Sequence, residues 1–217
     1  MTVTPPSHDD LIDRLAAELK PVRPLASPVT RALGWLAVVA ALAVVLAMLS
    51  DLDALRRRLE TAPDMWLAIL GSTLTAACAA FAAFELSVPD RKPAWALLPL
   101  PPLLLWVAAS GLGCLRGWVI PGTHVASMRE TGDCLVFILG LSVPLGAALL
   151  LMLRRAFPLR PDLTAMTGAL AVAAAAASLL NFFHPFDAAV TDLAVHAIAV
   201  AVVIAAGRVL SRRVFAG

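Results

Sequence analysis

Six stretches of this chain, at about 33–50, 66–86, 94–113, 133–153, 163–183 and 189–207, run close to 20 residues each with hardly a charge. A helix rises about 1.5 Å per residue, so roughly 20 apolar residues cross about 30 Å of hydrocarbon. Segments apolar on every side cannot be hidden in a chain of 217 residues surrounded by water. Composition agrees: 60% of residues are hydrophobic, 15% are charged and the mean hydropathy is +0.86. No ten-residue alternating segments of the barrel kind occur. The expected fold class is an all-α integral membrane protein, with six transmembrane helices over residues 32–217 and a short cytoplasmic amphipathic helix within an N-terminal segment, 1–31.

The distribution of Lys and Arg sets the expected orientation, because short loops rich in them stay cytoplasmic. Placing the N-terminus inside puts 12 of the 17 basic residues on the cytoplasmic side, and the C-terminus with them. The cluster Arg56, Arg57, Arg58 dissents, in a polar first connection that also carries Asp51, Asp53, Glu60 and Asp64. The first thirty residues contain acids and prolines and no apolar core of a signal peptide, so the N-terminus is expected to persist in the mature chain.

The spans hold few ionisable groups, among them Glu85 near the inner end of the second and His196 in the sixth. Transport usually needs charge at mid-membrane, so its scarcity weighs against a pump. Runs such as AACAAFAAF and AVAAAAAS favour close helix packing in lipid. Pro99, Pro101 and Pro102 should bend or break the third span. Trp35, Trp66, Trp95 and Trp118 fall at span ends, where an aromatic belt belongs.

At the head, HDDLIDRLAAELKPVRPL reads as a helix of about three turns. Ser7, three residues before Asp10, makes a capping-box-like start. Leu11, Ile12, Leu15 and Leu19 form one apolar stripe, and Pro21 stops the helix. So short a helix is marginal alone and must bury its stripe on something. Its polar face carries Asp9, Asp10, Asp13 and Glu18 against Arg14 and Lys20, which suits anionic lipid poorly; two destinations stay open, the membrane surface or the protein's own cytoplasmic loops, and a partner with an apolar groove rimmed by basic residues.

The net charge of +2 and the absence of a basic patch interleaved with aromatics argue against direct nucleic-acid binding. Cys78, Cys114 and Cys134 are too scattered for a disulfide framework. No phosphate-cradling loop, zinc-protease motif or nucleophile elbow is present, so no enzyme is expected.

The head LIDRLAAELKPVRPL, the stretch GDCLVFILGLSVPLGAALLLMLRRAFPLRP from Gly132 to Pro161 and the HPFD from His184 to Asp187 together resemble the NrsF family, over essentially the whole chain. This is a family of bacterial inner-membrane anti-sigma factors that restrain extracytoplasmic-function sigma factors of the SigF type. The resemblance implies a sigma factor held at the membrane by the cytoplasmic head, through Leu11, Ile12, Leu15, Leu19, Pro21, Val22, Arg23 and Pro24. It also implies release on envelope, heavy-metal or oxidative stress, with two outer cysteines involved. Cys134 matches the first of these; His184 stands where the family has the second, before Pro185 and Asp187.

Three readings of the outer face follow. Cys134 and His184, with His124 or His196, are ligand types for a transient heavy-metal site, no resident cofactor being expected. Alternatively, Cys114 replaces the missing cysteine as the disulfide partner of Cys134. In the third reading the sensing chemistry is lost while the head is kept. A rival from another class is a small multi-span transporter or metal-export component with an interfacial N-terminal helix. It would depend on Glu85 or His196. The oligomeric state is left open.

Overall fold

The computed structural model describes residues 7–19, 24–61, 63–119, 128–154 and 158–183, with Ala156 and a few isolated positions beyond 190. Among them the chain is all-helical: α1 His8–Ala17, α2 Pro28–Leu49, α3 Leu52–Thr61, α4 Pro63–Leu86, α5 Leu100–Val119, α6 Met128–Leu153 and α7 Pro161–Leu180. A 3-10 helix, Pro93–Leu97, precedes α5.

Five helices are long and apolar enough to cross a membrane: Pro28–Leu49, Met65–Leu86, Pro93–Leu112, Leu135–Leu153 and Pro161–Leu180. They coincide with the first five expected spans. The sixth, 189–207, lies largely outside the described residues.

The core forms around α7, the most buried of the five. Its run Ala173–Ala177 is buried throughout, and α4 meets it with Ala76, Ala79, Ala80 and Ala83. Small side chains let two backbones approach closely where lipid offers no hydrophobic drive between helices. Larger groups fill the remaining space: Trp35 from α2, Phe84 from α4, and Leu145, Leu149 and Leu153 from α6. α5 packs on the other side of α4, seated by Gly71, where a Cβ would lie 2.7 Å from the backbone nitrogen of Trp106. Several polar groups inside pair with one another. Thr75 donates to the Gly71 carbonyl at 2.7 Å, and the Ser178 hydroxyl sits 2.9 Å from that of Ser72, joining α7 to α4.

Three expectations change in detail, and one, the break of the third span, holds. The first connection is not simply a polar loop, because α3 occupies most of it. Asp51 caps α3 by accepting from the Ala54 amide at 2.9 Å, and Leu52, Leu55 and Leu59 recur at helical spacing. The third span breaks at its prolines, as Leu98 and buried Pro99 separate the 3-10 helix from α5. The long third connection is shortened at both ends, α5 running on to Val119 and α6 starting at Met128. Trp35 does not belong to an aromatic belt. It is fully buried and its Nε1–H donates to the Leu145 carbonyl at 3.1 Å, whereas Trp66 stays exposed as an interfacial anchor should.

Candidate docking helix and its anchorage

Ser7 starts α1 as the sequence predicts, its Oγ accepting from the Asp10 amide at 3.1 Å with Asp9 and Asp10 in the positive first turn. Leu11, Ile12 and Leu15 share one face and are 47%, 61% and 58% exposed. No residue of α1 is buried. The helix ends at Ala17 with Glu18 as its cap, so Leu19 lies one residue beyond the cap and not on the helical stripe. The cause is local: the Glu18 amide still bonds to the Arg14 carbonyl at 3.2 Å, but the Leu19 amide turns to the Ala16 carbonyl at 3.3 Å, tightening and closing the last turn before Pro21 is reached. Leu19 is 77% exposed and Pro24 is exposed in non-helical chain. Pro21, Val22 and Arg23 lie outside the described residues.

The segment re-enters the bundle at Ser27. Its Oγ accepts from the Thr30 amide at 3.1 Å, and Pro28 follows at the first helical position, where no donor is needed. One turn later Arg31 is buried, only 6% exposed. Its Nη2 donates to Ser87 Oγ at 3.0 Å and reaches the Phe84 carbonyl at 3.5 Å, while the guanidinium lies 5.2 Å from the centre of the Phe84 ring. Ser87 in turn donates to the Phe84 carbonyl at 2.6 Å, so one hydroxyl serves both the end of α4 and the arginine. Glu85, also buried, lies close enough for its charge to act on Arg31 and forms an ion pair with Arg91 at 2.9 Å. Arg160 Nη1 donates to the Arg91 carbonyl at 3.2 Å, tying in the start of α7.

Nε and Nη1 of Arg31 have no hydrogen-bond partner among the described residues. The Phe84 ring face and the nearby carboxylate stabilise the charge instead. This end of the bundle is a polar clasp in which Arg91 pairs with buried Glu85 and Arg31 is bonded to Ser87 and Phe84, placed where the N-terminal segment joins the first span. The sequence signal was available. Arg31 opens the first span and Glu85 closes the second, so antiparallel spans put both at one membrane end; Ser87 gave no such signal.

The side chains of the stress-sensing candidates lie outside the described residues. Cys114 lies in the second half of α5 and Cys134 near the start of α6, with both side chains outside the described residues, as is the whole of His184. His124 and His196 fall outside them too. No cluster of three or more metal-ligating side chains occurs among the described residues.

Neither the curated proteins nor the solved structures give a match. The NrsF family, described as negative regulator of sigma F, matches over residues 15–216, nearly the whole chain. A chain with spans of this kind, a clasped first helix and a match of that extent belongs to the NrsF family, the negative regulators of sigma F.

Proposed function

We propose that this protein is an inner-membrane anti-sigma factor that sequesters an extracytoplasmic-function sigma factor on the cytoplasmic face and releases it on envelope, heavy-metal or oxidative stress. The observation that carries the reading is α1, whose Leu11, Ile12 and Leu15 are solvent-exposed in a ten-residue helix that buries nothing. Such a stripe suits an apolar groove. Asp9, Asp10, Asp13 and Glu18 around it suit a basic rim. Leu19, Pro21, Val22, Arg23 and Pro24 extend the contact as the chain turns toward the bundle. Regulation is by binding, with no catalytic step, and DNA is reached only through the sigma factor.

Sensing belongs to Cys134 with either His184 or Cys114, through a metal or a disulfide. A transporter is less well supported, because Glu85 is paired with Arg91 at a helix end and is not poised at mid-membrane.

The test is capture of the cognate sigma factor by full-length protein in detergent, wild type against Leu15→Asp. Wild-type binding with at least a tenfold loss in the variant, at unchanged thermal stability, is expected. Equal binding by the two proteins sinks the docking assignment.

A further inference from the structure

At the end of the bundle opposite the Arg31 clasp, α3 follows α2 after only Ser50 and Asp51. A ten-residue helix between two helices long and apolar enough to cross a membrane is expected at the membrane–water boundary. Between α3 and the ends of α2 and α7 is a cleft of about 450 Å³, within the range of small-ligand sites. Leu49, Phe182 and Phe183 give it an apolar wall, and Asp51 and Arg57 give it one charge of each sign. Asp51 uses Oδ1 to cap α3. Arg56 faces elsewhere, in an exposed ion pair with Glu60 at 2.9 Å.

The geometry points to a binding site for one phospholipid with a zwitterionic, ammonium-bearing headgroup, of the phosphatidylethanolamine class. Its phosphate meets the Arg57 guanidinium, its ammonium meets the Asp51 carboxylate, and the start of an acyl chain lies along Leu49, Phe182 and Phe183. The lining selects this class on chemical grounds. An anionic glycerol headgroup gains from Arg57 but is repelled by Asp51. A choline headgroup has no N–H to donate to the carboxylate. The assignment depends on the membrane placement of α2 and α4 and not on the sigma-binding reading. Phe183 immediately precedes His184, so the site adjoins the segment where the family resemblance places sensing.

The experiment is native mass spectrometry of full-length protein exchanged from detergent into mixed micelles with equal phosphatidylethanolamine, phosphatidylglycerol and phosphatidylcholine, with glycerophosphoethanolamine as a chain-free competitor. Wild type should retain one phosphatidylethanolamine, at least fivefold over the other two lipids, and the chain-free competitor should not displace it. Asp51→Asn keeps the cap, since Asn caps as well as Asp, and should lose the preference over phosphatidylcholine. Arg57→Gln should lose retention, while Arg56→Gln should behave as wild type. Equal helix content by circular dichroism confirms that the variants fold. Retention of phosphatidylglycerol in preference, displacement by the headgroup alone, no retained lipid, or an Arg56→Gln loss equal to that of Arg57→Gln overturns the assignment.

Discussion

Arg31 Nη2 donates to Ser87 Oγ at 3.0 Å across 56 positions of sequence, fastening the first turn of the first span to the end of the second. The bond sits at the root of the N-terminal segment, so any motion of the bundle passed to α1 must go through or around it. Its two ends should be energetically coupled. Ser87→Ala removes an acceptor from a buried cation, at a cost of about 1.5–3 kcal/mol. Arg31→Met removes the cation and its desolvation penalty together, so the double variant should be less destabilised than the sum of the singles. Thermal unfolding in detergent measures the cycle; strict additivity would show that the bond contributes nothing.

The glycines of the bundle give a graded series. A Cβ at Gly71 meets the Trp106 backbone at 2.7 Å, which cannot yield without separating α4 from α5. At Gly168 the nearest atom, also at 2.7 Å, is the flexible end of Leu149, and at Gly140 nothing lies within 4 Å. Alanine should therefore lower the unfolding midpoint most at Gly71, where overpacking costs about 1–3 kcal/mol of stability. Gly168 should follow, and Gly140 should barely respond. A different ranking would refute the packing of α5 on α4.

Trp35→Phe keeps most of the buried ring and loses the Nε1–H bond to the Leu145 carbonyl, so α2 and α6 should loosen by about 1 kcal/mol. The matching Trp66→Phe change, at an exposed position, should leave stability unaltered. Equal effects would mean that Trp35 acts only as an interfacial anchor.

If α1 docks the sigma factor as proposed, its cap bears on binding through helix formation. Ser7→Ala removes the acceptor for the Asp10 amide and should weaken the helix by about 1 kcal/mol, which is about fivefold in affinity if the helix must form to bind. Ser7→Asp should restore affinity. Titration of the sigma factor against the three proteins reads the effect, and identical affinities would exclude a helical bound state.

Five spans, the capped start of α1 and the proline break before α5 follow from sequence, because each rests on local chemistry: a run of apolar residues, a hydroxyl three residues before an amide, a ring that cannot donate. Trp35 shows the limit of that logic. A tryptophan near a span end reads as an anchor, and only the proximity of Leu145, 110 positions away, makes it core. Leu19 shows a finer one, since stripe periodicity does not reveal where backbone bonds close the last turn.

The sequence by itself determined the membrane class, the apolar stripe of the head and the family resemblance, all of them patterns that neighbouring residues impose on one another. The tertiary structure decided that Arg31, Glu85, Ser87 and Arg91 form one clasp and that Asp51 and Arg57 share a cleft with Phe182 and Phe183. Those groups are distant in the chain, and the energy of a buried or half-buried charge depends on which partners packing brings within a few ångströms.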